Sequence, residues 1–156
     1  MSAPAPVVPS LEYLMRVRIA AEAPLTLGGP WGERRLVPIT GGEFSGPRLQ
    51  GRVLAGGGDW LVQRSDGCFQ LDARYTLETN DGALIYVQDR GLRHGPPKVM
   101  ARLAQGEAVA PDEYCFRNNA VLETAAEDYA WLNQLVIIGS GMRGPDGVVI
   151  EFYAVA

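Results

Sequence analysis

The sequence predicts an all-β protein with one or two short helices: an antiparallel β-barrel of about nine or ten strands. Three observations carry that expectation. Apolar and polar residues alternate with period two over long stretches, most cleanly from Cys68 to Thr79 (CFQLDARYTLET). Turn signals recur at short spacing, among them Ser65-Asp66-Gly67, Asn80-Asp81-Gly82 and Pro145-Asp146-Gly147. Finally, Gly41 to Asp59 (GGEFSGPRLQGRVLAGGGD) interrupts strand-like text with Gly-Gly, Gly-Pro and Gly-Gly-Gly. Glycines placed this way mark bulges and bends, which curve a sheet toward closure.

Length and composition set the frame. A chain of 156 residues reads as one domain, with residues 1–10 a Pro-rich extended arm and residues 11–156 the barrel. Hydrophobic residues make up 47% and charged residues 21%, enough apolar side chain for a core without staples. The formal net charge of -4 argues against a nucleic-acid partner, which favours basic surfaces. Cys68 and Cys115 have no partner motif and read as reduced thiols. The N-terminal MSAPAPVVPS lacks a basic start and an apolar core, so it is not read as a signal peptide. No apolar run reaches membrane-spanning length, so no membrane partner and a cytoplasmic location are expected.

Leu11 to Ala23 alternates as a long strand, with Leu14 and Ala20 out of step. Leu27-Gly-Gly-Pro-Trp-Gly is a loop. Arg34 to Thr40 is a strand in which Pro38 demands an edge or a bulge, because proline donates no ladder hydrogen bond. Residues 42–45, 48–55 and 59–64 follow as short strands. The strand from Cys68 to Thr79 pairs through its turn with Ala83 to Gln88 as a hairpin. His94 then falls in a Gly/Pro-rich loop. From Pro97 to Gly106 the apolar residues Val99, Met100, Leu103 and Ala104 adopt helical spacing; proline suits the first turn and glycine the end. Tyr114 to Leu122 is a strand. Thr124 with Glu127 suggests a capping box for a short helix carrying Tyr129, Trp131 and Leu132. Residues 134–139 and 148–155 are the closing strands.

Four stretches together, GGEFSGPRLQGRVLAGGGDW, LDARYTLETNDGALIYV, YCFRNNAVLETAAEDYAWLN and VVIEFYAV, resemble the bacterial and fungal family called domain of unknown function 3237, or uncharacterised protein family 0311. The resemblance covers nearly everything after the arm. It implies an antiparallel barrel of lipocalin-like shape and no established catalytic residue.

The residues permit two faces for the Cys68–Thr79 strand. Either its polar parity is solvated and Leu71, Ala73, Tyr75 and Leu77 pack inside, or Asp72, Arg74, Thr76 and Glu78 line a polar lumen. Under the second arrangement Asp72 is a candidate base and Arg74 a clamp for a carboxylate or enolate oxygen. Trp60, at a bend after Asp59, is either core or the wall of a pocket for a flat ligand. Tyr114 and Arg117 share a strand on opposite parities. Glu43, Glu123 and Asn133 are further candidates for ligand contact, though each reads first as a solvent-facing, capping or backbone-satisfying group. His94 is the only histidine, and with two distant cysteines it makes no metal site of ordinary spacing. The glycines at 56, 57 and 58 lack the lysine and helix of a phosphate loop, so no nucleotide cofactor is expected. The sequence therefore supports a barrel that handles a small oxygenated molecule. It would act either as a cofactor-free isomerase, cyclase or lyase using acid–base chemistry, or as a carrier without turnover. Apolar residues on both strand parities suggest a homo-oligomer.

Overall fold

Alternation decides which side chains face inward in the computed structural model, which describes residues 1–156. The strands are β1 (Leu11–Ala21), β2 (Leu25–Thr26), β3 (Glu33–Ser45), β4 (Gln50–Val53), β5 (Gly58–Asp59), β6 (Val62–Gln63), β7 (Phe69–Thr79), β8 (Leu84–His94), β9 (Cys115–Glu123), β10 (Ile137–Gly144) and β11 (Gly147–Val155). A helix, α1 (Pro97–Ala104), separates β8 from β9, and a 3₁₀ segment (Glu127–Gln134) separates β9 from β10. All pairings are antiparallel. They run β1-β11-β10-β9-β8-β7, then through β4, β5 and β6 to β3, which returns to β1 and closes an eight-strand barrel.

The glycine-rich stretch does the bending. At Gly42, φ is +141° and an added Cβ would run into the carbonyl oxygen of Arg18. Only a residue without a side chain lets β3 approach β1 there. One end of β3 pairs with β1, while the other end, past Pro38, pairs with β2, β5 and β6. The register slips where Ala20 faces Gly41 but Ala21 faces Ile39, so the bulge demanded by Pro38 falls beside it. A second bulge between Tyr13 and Met15 explains Leu14. As the extra residue it breaks the alternation and is buried together with Met15.

Two sequence expectations shift at their boundaries. The strand expected over Ala83–Gln88 continues to His94, so His94 ends a strand instead of sitting in a loop. The short helix after Thr124 is 3₁₀ and has no side-chain cap. The Thr124 hydroxyl instead accepts from the Ala126 amide and donates to the Leu84 carbonyl. Helix α1 begins with proline as expected, and Gly106, with φ of +78°, follows its end. Both cysteines are free. No helix is long and apolar enough to cross a membrane.

The barrel is filled unevenly along its axis. One end holds a core of 18 buried residues, including Phe152, Met15, Leu77, Ile85 and Leu122. Leu132 of the 3₁₀ segment belongs to this core and is fully buried. The other end has only six: Leu61, Phe69, Leu71, Leu103, Tyr114 and Phe116. Leu103 comes from α1, which packs over that end. Between the six lies a cavity of about 680 Å³.

Candidate active site

Small residues flank the polar groups that register sets into the cavity wall. Register places Ala73 of β7 beside Asp89 of β8, and Asp89 beside Ala120 of β9. One layer further along, Leu71 faces Gly91, Gly91 faces Asn118, and Asn118 faces Gly139. The glycines are spatially required. A Cβ at Gly139 would sit 2.5 Å from Asn118 Oδ1, and one at Gly91 would sit 2.6 Å from Asn118 Cβ. Asn118 thus lies in a slot cleared on both sides, aimed at Asp89. The next layer brings Phe69, Arg93 and Phe116 side by side.

Four polar side chains face the cavity from these layers: Asp59, Asp89, Arg93 and Asn118. Asp89 is 4% exposed and Asn118 6%. Asn118 Nδ2 donates to both Asp89 carboxylate oxygens, at 2.7 and 2.6 Å. Burial pushes the Asp89 carboxyl up to about 7, against the downward pull of the Asn118 hydrogen bond, and the nearby Asp59 carboxylate adds to the rise. Asp59 reaches the cavity from β5, two strands from β8 with Ala73 between them. Two strand spacings put about 10 Å between their backbones, with only a methyl group in the gap. Burial pushes Asp59 up to about 6, opposed by the backbone amide of Asp72, which donates to Oδ1 at 2.9 Å, and by the Arg93 charge. Asp59 has a cation and an amide to hold its charge; Asp89 has only a neutral amide. Both carboxyls are thus raised toward neutral pH, Asp89 further than Asp59.

Arg93 is 7% exposed, and its guanidinium lies over the Phe69 ring (4.7 Å) and the Phe116 ring (5.7 Å). Its Nε is buried with no hydrogen-bond partner, as is Asn118 Oδ1. Burial pulls the Arg93 guanidinium down to about 10, with the Arg143 charge contributing, so it stays a cation at neutral pH. The Tyr75 hydroxyl is buried and unpartnered in the packed half, its ionisation pushed up by burial and by Asp89. No three His, Cys, Asp or Glu side chains converge as a metal site requires.

The residues singled out from sequence lie elsewhere for the most part. The apolar parity of β7 turns inward, with Leu71, Tyr75 and Leu77 buried, so Asp72 and Arg74 stand on the outer face. Asp72 is half-buried, 3.6 Å from Arg90, and it serves the cavity only through its backbone amide. Arg74 is exposed opposite Gln88. Trp60 is 45% exposed, and its backbone rather than its ring is engaged, by Asp72 and Arg34. Arg117 is exposed and donates to its neighbour's carbonyl. Glu43 is exposed, 3.8 Å from Arg18. Asn133 satisfies both backbone groups of Thr124, and Glu123 sits beside it on the outer surface. Tyr114 is the exception. It is buried beside the cavity, where its hydroxyl accepts from the Arg143 amide at 2.8 Å.

The family model described as "Protein of unknown function (DUF3237)" matches residues 9–155. A UPF0311 protein of Rhodopseudomonas palustris is 40% identical over 124 residues, spanning 80% of this chain and 81% of its own. A solved structure from the same organism, of a conserved protein of unknown function, superposes with a TM-score of 0.91 at 34% identity, covering 97% of this chain and all of that one. A "beta-barrel like protein" of Acinetobacter baumannii superposes at 0.85 with 42% identity, covering 97% and 99%. More distantly, the hydroalkoxylation enzyme phnH of Penicillium herquei is 26% identical over 136 residues, 86% of this chain and 76% of that one.

Proposed function

The chain belongs to the DUF3237 family, and from that premise we propose that the hollow half of its barrel is an active site that moves protons on a small oxygenated organic molecule through its own side chains. One observation carries the reading: two buried carboxyl groups, Asp59 and Asp89, face one cavity across a single alanine, and we assign the base to Asp59, beside Arg93, and the acid to Asp89. Groups of opposite protonation state flanking a ligand-sized space are what general acid–base catalysis needs.

A hydroxyl adding across a conjugated carbon–carbon double bond illustrates the chemistry, and the Penicillium herquei relative, named for hydroalkoxylation, supports that class. Asp59 takes the hydroxyl proton as the oxygen attacks one alkene carbon. Negative charge builds on the conjugated carbonyl oxygen, where Arg93 stabilises it. Asp89 then gives its proton to the other carbon. The O–H has been added across the double bond, Asp59 is left protonated and Asp89 ionised, and solvent restores both. The same two groups run the reverse elimination, or a double-bond shift in which one removes a proton and the other returns one. Asn118 holds Asp89 throughout.

Deuterium exchange tests this without knowledge of the natural substrate. A panel of small hydroxy-enones and β,γ-unsaturated ketones is incubated with the protein in D₂O and followed by proton NMR. The expected result is carbon-bound deuterium well above the buffer rate for at least one member. Asp89→Asn and Asp59→Asn should each slow it by about 10²–10⁴-fold. Exchange at the wild-type rate in Asp89→Asn overturns the assignment; binding without exchange across the panel makes the barrel a carrier instead.

A further inference from the structure

Three guanidiniums line the cavity, Arg35, Arg93 and Arg143, together with four carboxyl groups, Glu22, Asp59, Asp89 and Asp146, yet not all of these cations are paired. Arg35 is committed, donating to Glu33 and to Gln63 at 2.9 Å each. Arg93 and Arg143 take part in none of the molecule's ion pairs. Arg143 is close enough to disfavour the Arg93 charge, which Asp59 and Tyr114 favour. Protein groups leave Arg93 Nε without a partner although the residue is 7% exposed. A buried charged donor left unpaired is expensive. Only the Asp59 charge and the faces of Phe69 and Phe116 offset it, and the two rings hold the guanidinium in place. Arg143 stands at the cavity's open edge, at the end of β10, where its exposed side chain is reached first by anything entering. The remaining walls are Val37, Leu61, Phe69, Leu71, Met100 and Phe116, apolar and in part flat.

We infer that the ligand is an organic anion: a flat apolar body carrying one group ionised at neutral pH, which Arg143 meets at the mouth and Arg93 holds inside. This rests on the reading of the lumen as the substrate site and adds the substrate class to it. A volume of 680 Å³ is in the range of sites for drug-sized molecules, so one or two fused rings fit with room to spare. Bare inorganic anions do not meet the requirement, because they leave the apolar walls uncovered.

The test is isothermal titration at pH 7.5 with 2-naphthoate, its neutral isostere 2-naphthamide, and inorganic phosphate. The carboxylate is expected to bind at least 10-fold tighter than the amide or phosphate. Arg143→Gln, a change at an exposed position, should remove at least 10-fold of the naphthoate affinity, and Arg143→Lys should restore most of it. Arg93→Gln should abolish binding, but its buried site also bears on folding, so Arg143 carries the decision. Equal binding of amide and carboxylate, or of phosphate and carboxylate, overturns the inference, as does an Arg143→Gln variant that binds naphthoate normally. Asp59→Asn and Asp89→Asn separate this from the reaction: both should still bind naphthoate at least as tightly as wild type while losing deuterium exchange. Anion binding with no exchange in any variant removes the reaction and leaves the ligand class; exchange that ignores Arg143 and prefers neutral ketones does the reverse.

Discussion

At position 89 an ordinary carboxyl is surrounded by Val87, Ala120 and the neutral amide of Asn118, so ionising it is opposed by lost hydration. This ties stability to pH. In the unfolded chain the group titrates near 3.8, in the folded barrel at about 7. The folded state therefore holds the proton over the window between, and stability falls as pH rises through it, flattening above the folded value. Asp59 adds the same sign up to about 6. The urea midpoint should drop between pH 4.5 and pH 7.5, and Asp89→Asn should remove most of that slope, a difference of no more than about 4 kcal/mol at the upper end. An unaltered slope in the variant would show that Asp89 ionises freely. The signal for Asp89, Arg93 and Asn118 was present in the sequence as polar residues interrupting an apolar parity: Ile85, Val87, Asp89, Gly91, Arg93 on one strand and Phe116, Asn118, Ala120, Leu122 on the next. Asp72 and Arg74, by contrast, are in phase with solvent. A charge in phase is explained by water, whereas one out of phase needs another explanation.

At the scale of elements, long strands with clean alternation were legible and short or extended ones were not. The β7–β8 hairpin, the Pro97 start of α1 and the bulge near Pro38 all follow from local chemistry. The extent of β8 does not: Arg90 to His94 reads as loop because Gly91 and the prolines after it break the pattern, yet β9 pairs with it as far as His94. That tertiary pairing is invisible in one strand's text, and together with the β7 ladder it carries Asp89 and Arg93 into the sheet. Helix α1 illustrates the opposite dependence. Eight residues are too few to hold a helix in water, so its stability comes from seating Leu103 against Leu61, Phe69 and Phe116. Leu103→Ala should cost about 2–5 kcal/mol locally. Hydrogen exchange would report this as faster-exchanging α1 amides over an unchanged β7–β8 ladder; equal loss of protection in both would mean that helix and barrel unfold as one unit.

For the molecule as a whole, the sequence foretold a closed antiparallel barrel but not its uneven filling, because no residue states which layer it will share with residues on four other strands. Ala73, Gly91 and Gly139 are unremarkable singly; only register sets Ala73 between Asp59 and Asp89 and the two glycines on either side of Asn118. The packed half beyond them makes the barrel a blind tube. With Leu132 and 17 other core residues filling one end, traffic is confined to the end beneath α1 and the β10–β11 turn. Whatever enters must leave by the same door, in reverse order and without passing a second molecule. Product and substrate then exclude one another absolutely. Once a substrate is found, initial-rate measurements with added product should show purely competitive inhibition, with the maximal rate untouched at saturating substrate. A lowered maximal rate would mean that product and substrate can occupy the molecule together.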